Sequence, residues 1–91
     1  MIEENTTEKT QNMRRAIDSL REELEAVDLY NQRADACTDE QLKKILIHNA
    51  NEEKEHAAML IEWLRTYDEG FAKEIKKYLF SKDVLEEERV K

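Results

Sequence analysis

The residues best suited to chemistry are Glu53 and His56, a carboxylate and an imidazole three positions apart in the segment 51–60. On an α-helix, residues i and i+3 lie on one face about one turn apart, so both side chains can reach a single ion. Both also fall within an apolar stripe that steps by threes and fours, where core side chains are expected. The stripe comprises Leu46, Asn49, Glu53, His56, Leu60, Trp63 and Tyr67.

A third candidate lies in the first part of the chain. Glu23 falls between Leu20 and Val27 in another stripe that steps by threes and fours. A residue at the edge of such a stripe can also form an ordinary ion pair, and Arg21 and Lys54 keep that alternative open.

Acidic residues within apolar stripes need compensation. Burying a carboxylate costs several kcal/mol unless it is paired or bound to a cation. For Glu53 and His56 two explanations are open at this point. One is a bound metal ion, and the other is a hydrogen-bonded Glu–His pair that fixes the register of the helices.

Two long helices are expected to position these residues. Charged residues make up 41% of the chain, with one Gly and no Pro, which is typical of long helices without a sheet. We predict helices over about 7–35 and 39–67, and the turn between them is short enough for an antiparallel hairpin. Asn5, Thr6 or Thr7 can cap the first helix. The run from Thr38 to Gln41 has the form of a capping box and predicts that the second helix begins near Asp39.

Apolar spacing predicts the packing faces of the first helix. Its two neighbouring stripes are Met13, Ile17, Leu20, Leu24 and Val27, and Ala16, Leu20, Glu23, Val27, Tyr30 and Ala34. Together they make a face wide enough for a helical bundle.

The chain after the second helix is expected to add one short element. Gly70 is the predicted C-cap of the second helix, and a third helix is predicted over about 70–80. The segment 81–91 is mostly charged and is expected to be loosely ordered. The prediction for 1–91 is therefore a single all-α domain.

Two helices cannot close a hydrophobic core, so a second copy of the chain is the simplest cover for these stripes. One chain offers one Glu on its first helix and one Glu-x-x-His on its second. A di-iron carboxylate bundle uses a Glu from each of two helices and a Glu-x-x-His from each of the other two. Doubling this chain reproduces that ligand set, with a two-fold axis between two metal ions.

The chain resembles the encapsulated ferritins in two stretches. The first is Arg-Glu-Glu-Leu-Glu-Ala-Val-Asp at 21–28, followed by Tyr30. The second is His-Asn at 48–49 with Glu-Glu-Lys-Glu-His-Ala at 52–57. The resemblance covers roughly residues 10–80, and the two motifs together are specific. The chain departs from the family at Leu29, where members often carry an aromatic residue.

This resemblance implies a ferritin-like half-bundle that dimerises into a four-helix bundle. It also implies a ferroxidase centre with two irons per dimer, a ring of dimers that forms a decamer, and iron storage inside an encapsulin shell. Carried over by residue, Glu23, Glu53 and His56 would be iron ligands and Tyr30 would lie beside the centre. Glu22 and Glu25 would form part of an access path for incoming metal, and a solvated acidic face is the alternative interpretation of these two residues.

The expected chemistry is iron oxidation, with Fe(II) and dioxygen as substrates. Mixed carboxylate and imidazole ligands with open coordination positions suit iron and dioxygen. A thiolate-rich zinc site is excluded, because the single cysteine, Cys37, lies in the predicted turn. We treat Tyr30 as a hydrogen-bond partner or weak ligand. Tyr30 and Trp63 are otherwise expected to be packing aromatics. His48 is expected to have no partner at helical ligand spacing, and Glu52 and Glu55 to be solvated charges paired with Lys or Arg.

Net charge and hydropathy exclude several classes of partner. A formal charge of −7 and a pI near 4.9 argue against nucleic acid and against anionic membrane surfaces. No apolar run approaches the roughly 18 residues of a membrane span. The first five residues have neither a basic segment nor an apolar signal core, so a cytoplasmic protein is expected. The resemblance implies a location within an encapsulin nanocompartment.

Two hypotheses from different classes remain at this level. The first is a ferroxidase of the encapsulated-ferritin kind, favoured by the ligand set and the resemblance together. The second is a metal-free helical hairpin that acts as a structural adaptor, in which the polar stripe residues only set register. A metal site that binds zinc or manganese without turnover is a further possibility, because ligand type constrains the metal loosely.

Overall fold

The computed structural model describes residues 5–80, which form three α-helices: α1 (Glu8–Ala36), α2 (Glu40–Tyr67) and α3 (Glu69–Tyr78). Helix α1 packs along α2, and α3 packs against α2. The described part of the chain contains no strand. These observations confirm the predicted all-α class with two long helices and a short third one.

Contacts between side chains define the register of the two long helices. Asn12 bonds to Tyr67, and Glu23 bonds to His56. An advance of eleven residues along α1 therefore matches a retreat of eleven along α2. The helices are antiparallel, and this register places Glu23 opposite the Glu-x-x-His motif.

Side-chain caps begin the two long helices. Thr7 caps α1 by accepting a hydrogen bond from the Thr10 amide. Asp39 caps α2 by accepting one from the Leu42 amide at 2.8 Å. The predicted capping box that starts at Thr38 is therefore wrong by one residue. Aspartate is at least as good an N-cap as threonine, and its charge complements the helix dipole.

Asp68 forms the junction between α2 and α3. Its amide donates to the Leu64 carbonyl at 2.9 Å, and its carboxylate accepts from the Phe71 amide at 2.9 Å. The prediction of Gly70 as the C-cap of α2 is wrong, because Gly70 lies inside the first turn of α3. A Cβ at Gly70 would lie 3.1 Å from Asp68 Oδ2, so glycine leaves room for the capping carboxylate. The predicted loose tail at 81–91 lies outside the described residues.

The hairpin core is built largely from alanine. The buried apolar side chains of the described region are Ala16, Ala34, Ala50, Ala57 and Leu64. On α2 the buried side chains recur every seven residues, which is the spacing of a coiled-coil seam. Each lies one residue C-terminal to a member of the stripe that was predicted to carry Glu53 and His56. The prediction that this stripe forms the core is wrong. Its large side chains lie at the edge of the seam, because the small alanines at the centre let the two backbones approach each other. The α1 stripe that contains Ala16 and Ala34 does face α2.

Many large apolar side chains remain exposed. Among them are Leu24, Ile45, Met59 and Trp63, which are 53, 56, 64 and 36% accessible. Such extensive apolar surface is typical of an interaction face rather than of an isolated domain. No helix within 5–80 combines the length and apolar character required to span a membrane.

Candidate metal centre

The hairpin brings together the three residues singled out by their spacing. His56 Nδ1 lies 3.1 Å from Glu23 Oε2 and 3.7 Å from Glu53 Oε2. One ligand atom from each residue lies within 4.8 Å of the others. We call Glu23, Glu53 and His56 the inner cluster. Because α1 contributes one ligand and α2 contributes two, the cluster exists only when the hairpin has formed.

The inner cluster lies at the border of the packed seam and not within it. The side chains of Glu23 and Glu53 are 25 and 22% accessible, and that of His56 is 46% accessible. The expectation of fully core positions is therefore wrong, and desolvation alone does not demand a bound cation. The stronger argument for a metal is that three ligand atoms from two helices converge on one point, with an open side for further ligands.

Protonation within the inner cluster follows from its geometry. The hydrogen bond with Glu23 is the main cause that raises the pKa of Glu53, and partial burial and the negative charge of Glu23 add to it. The hydrogen bond with Glu23 also raises the pKa of His56, assisted by the charges of both carboxylates. In the absence of metal, the Glu53 carboxyl and the His56 imidazole thus hold protons more readily than the isolated groups do. A divalent cation at the same point would supply the positive charge instead.

A second cluster of potential ligands shares His56. Glu52, Glu55 and His56 also place one ligand atom each within 4.8 Å of one another, and all three belong to α2. We call this group the outer cluster. His48 extends it, since His48 Nε2 lies 3.2 Å from Glu52 Oε1. This contact shows that the prediction of no partner for His48 at helical ligand spacing is wrong. The four-residue step from His48 to Glu52 is the signal in the sequence that could have predicted the pair.

The remaining predicted site residues lie apart from the inner cluster within one chain. Tyr30 is half-buried on α1, about two turns or roughly 10 Å along the axis from Glu23. Its ring lies 5.5 Å from the Arg33 guanidinium carbon, a cation–π contact. Glu22 and Glu25 are exposed, and within 5–80 neither belongs to the inner or the outer cluster.

One chain provides three protein ligands that leave coordination positions open. One imidazole and two carboxylates form a mixed nitrogen and oxygen donor set, which suits iron among other divalent metals. An ion at this point would need further ligands from water, a substrate or another protein chain. The arrangement is therefore suited to a shared or an open metal site.

Comparison with known proteins points to one group. The EncFtn-like family matches residues 1–82. An encapsulated ferritin-like protein of Rhodospirillum rubrum is 58% identical over 74 residues, which are 81% of this chain and 53% of that protein. A ferritin-like protein of Thermotoga maritima is 49% identical over 75 residues, 82% of this chain and 66% of that protein. The chain thus spans about half to two-thirds of the length of these two relatives.

A solved structure shares the fold. The crystal structure of a protein from Nitrosomonas europaea matches with a TM-score of 0.86 and 59% sequence identity, and the match covers 91% of both chains. At 59% identity the likeness covers the sequence as well as the fold.

Proposed function

This chain belongs to the EncFtn-like family, and from that premise we propose that it is a ferroxidase that oxidises Fe(II) to Fe(III) with dioxygen. The family and the relatives confirm the resemblance to encapsulated ferritins and identify an iron-related, ferritin-like protein. The observation that carries the finer proposal is the inner cluster, in which Glu23 meets Glu53 and His56 across the hairpin.

The catalytic centre is proposed to form between two copies of the chain. Exposed apolar side chains flank the inner cluster: Leu24 follows Glu23, and Met59 lies one turn beyond His56 on α2. Packing this surface against a second copy would bury it and bring two inner clusters face to face across a two-fold axis. The pair would then supply four carboxylates and two imidazoles, which is the ligand set of a di-iron carboxylate bundle.

The proposed reaction follows from that ligand set. Two Fe(II) ions bind as substrates and each gives one electron to dioxygen, which takes up two protons to form hydrogen peroxide. Glu23 and Glu53 offset the charge of the two close cations, and His56 must lose its proton to act as a ligand. The protons held by the inner cluster leave as metal binds.

The other predicted residues receive proposed roles in the assembled protein. Tyr30 would lie beside the centre as a hydrogen-bond partner or weak ligand. Glu22 and Glu25 would help to guide incoming Fe(II), which an acidic surface attracts. The name of the Rhodospirillum relative, an encapsulated ferritin-like protein, supports association with an encapsulin nanocompartment. The ring of dimers, proposed as a decamer, and the cytoplasmic location are proposed from the resemblance to the encapsulated ferritins.

An anaerobic titration tests this function. Purified protein is titrated with Fe(II), dioxygen is then added, and the mass of the assembly is recorded before and after. Saturation at one iron per chain with a fast oxidation phase is expected, and Glu53→Ala should lose that phase. Glu74→Ala on α3 removes an exposed carboxylate far along the chain and serves as the matched control.

The outcomes separate the candidate functions. Two irons per chain would mean that each subunit carries a complete site, which contradicts the shared centre. No saturable binding and no oxidation above the blank would favour the metal-free structural adaptor. That second candidate is supported by the 3.1 Å Glu23–His56 contact, which can fix the hairpin register without a metal.

A further inference from the structure

Two aromatic side chains stack near the end of α2, on the same side as the inner cluster. The rings of Trp63 and Tyr67 lie 4.3 Å apart with an interplanar angle of 20°. Trp63 follows His56 by seven residues, which is two turns or about 10 Å along the helix axis. Indole and phenol are among the side chains that most readily lose a single electron. Because the two rings are stacked, an electron lost from one ring can be replaced by an electron from the other.

A hydrogen-bond network across the hairpin orients the Tyr67 phenol. Asn12 Nδ2 donates to the Tyr67 hydroxyl at 3.4 Å, and Asn12 Oδ1 accepts from Arg15 Nη1 at 2.8 Å. The arginine fixes which end of the amide faces the phenol, because guanidinium can only donate. The phenol oxygen therefore accepts from Asn12 and keeps its own hydrogen for another acceptor. The Asn12 amide therefore orients the phenol without taking up its hydroxyl hydrogen.

A groove lies beside the Trp63 indole, between the two long helices. Its volume is about 300 Å³, and its lining includes Ser19, Leu60 and Trp63. Ser19 lies one turn before Glu23, and Leu60 lies one turn after His56. The groove therefore borders the indole and ends about one helical turn from the inner cluster.

We propose that Trp63 and Tyr67 are one-electron donors that help to reduce hydrogen peroxide formed during iron oxidation to water. The inference rests on the proposed ferroxidase function, which supplies both the peroxide and the Fe(II). Its structural basis is the stacked pair, the oriented phenol and the groove, all on the side of the hairpin that carries His56.

The step balances as a shared two-electron reduction. One Fe(II) and the Tyr67 phenol each give one electron to H2O2, and the phenol proton and one proton from solvent complete two molecules of water. The O–O bond breaks, iron becomes Fe(III), and the electron vacancy resides on Trp63 or Tyr67. A second Fe(II) then returns an electron to the phenoxyl oxygen, which takes a proton from water and restores the phenol. No hydroxyl radical is released in this sequence.

Freeze-quench electron paramagnetic resonance of the Fe(II)-loaded assembly mixed with oxygen tests the proposal. The wild-type chain is expected to give a transient tyrosyl signal. Tyr67→Phe should convert it to a tryptophanyl signal, and the double variant Trp63→Phe with Tyr67→Phe should abolish it. Spin-trapped hydroxyl radical should rise several-fold in the double variant, while the initial rate of iron oxidation stays unchanged. Tyr78→Phe, which removes a phenol hydroxyl on α3, is the matched control.

The outcomes distinguish this inference from the function on which it rests. Wild-type protein that oxidises no iron overturns both proposals. Normal iron oxidation without an aromatic radical, or with a radical that persists in the double variant, overturns this one alone. Should the double variant lose its helical circular dichroism, Asn12→Ala leaves both rings in place, and a slower decay or a weaker tyrosyl signal is then expected. An unaltered signal in Asn12→Ala contradicts the assigned role of the phenol network.

Discussion

The inner and outer clusters share His56 but are built in different ways. The inner cluster joins Glu23 on α1 to two residues of α2, whereas the outer cluster uses α2 alone. Carboxylates and imidazoles at steps of three and four meet on any helix surface, so the outer cluster would form on an isolated α2. The inner cluster requires the correct hairpin register. Spacing along one helix finds potential ligands, but convergence from two helices is what separates a candidate site from an ordinary polar face.

The largest expected effect compares one carboxylate from each cluster. Glu53→Gln keeps the size of the side chain but removes a charged ligand from the inner cluster, and Glu55→Gln does the same for the outer cluster. Loss of residues that merely support a metal ligand costs about 10–100-fold, so loss of the ligand itself should slow iron oxidation at least about 100-fold. Oxygen consumption after Fe(II) addition measures both variants.

Glu55→Gln is the internal control for this comparison, because it lies two residues away on the same helix and changes the net charge equally. Equal losses in the two variants would mean that surface charge, and not coordination by the inner cluster, controls the reaction.

The second prediction separates the two clusters through the residue they share. Glu23→Gln impairs only the inner cluster, whereas His56→Ala impairs both. If the outer cluster contributes nothing to oxidation, the two variants should lose the fast oxidation phase to the same extent, and the double variant should be no worse than either. Stopped-flow absorbance of Fe(III) formation measures all three.

Slower oxidation in His56→Ala than in Glu23→Gln would show that the outer cluster takes part in iron oxidation, because only the histidine variant impairs that cluster. Circular dichroism of each variant checks that the helices persist, since Glu23 also bonds across the hairpin.

Local features of the site could be predicted from the sequence, whereas the packing of the two long helices could not. The three inner ligands were found because ligand type and helical spacing are local properties of Glu23, Glu53 and His56. The exact seam was not found, because Ala50 and Ala57 carry too little apolar surface to mark a stripe. The N-cap of α2 was misplaced by one residue, because Thr38 and Asp39 are both good N-caps and only backbone geometry decides between them.

The third prediction concerns pH and separates the protonated inner cluster from the metal-bound one. The pKa of His56 is raised, so its contribution to stability is complete below its ordinary value of 6.5 and is lost as pH rises through the raised pKa. The pKa of Glu53 is also raised, so its contribution is present below 4.5 and is likewise lost at higher pH. Metal-free protein should therefore lose thermal stability as pH rises above 4.5 and on through the raised pKa values of Glu53 and His56. Over the same range the affinity for Fe(II) should increase, because fewer protons compete with the metal.

Thermal melts of metal-free protein and anaerobic Fe(II) titrations across that pH range test both trends. Glu23→Gln should flatten the stability trend, because the hydrogen bond with Glu23 is the main cause of both shifts. A trend that is as steep in this variant would assign the pH dependence to groups outside the inner cluster.

The smallest expected effect belongs to the His48–Glu52 contact, which joins the outer cluster to the rest of α2. Its side chains are 69 and 45% accessible, so water competes with the 3.2 Å contact and the pair adds little to the fold. His48→Ala should leave iron oxidation unchanged and shift the melting temperature by only about 2 °C, as expected for one exposed pair at a four-residue step. Ala replaces His with a better helix former, which reduces the net change further. Differential scanning calorimetry and the oxygen-consumption assay measure the two effects on the same sample. A large loss of oxidation in His48→Ala would mean that the outer cluster is more than a polar face of a single helix, because a residue paired with Glu52 would then control chemistry at His56.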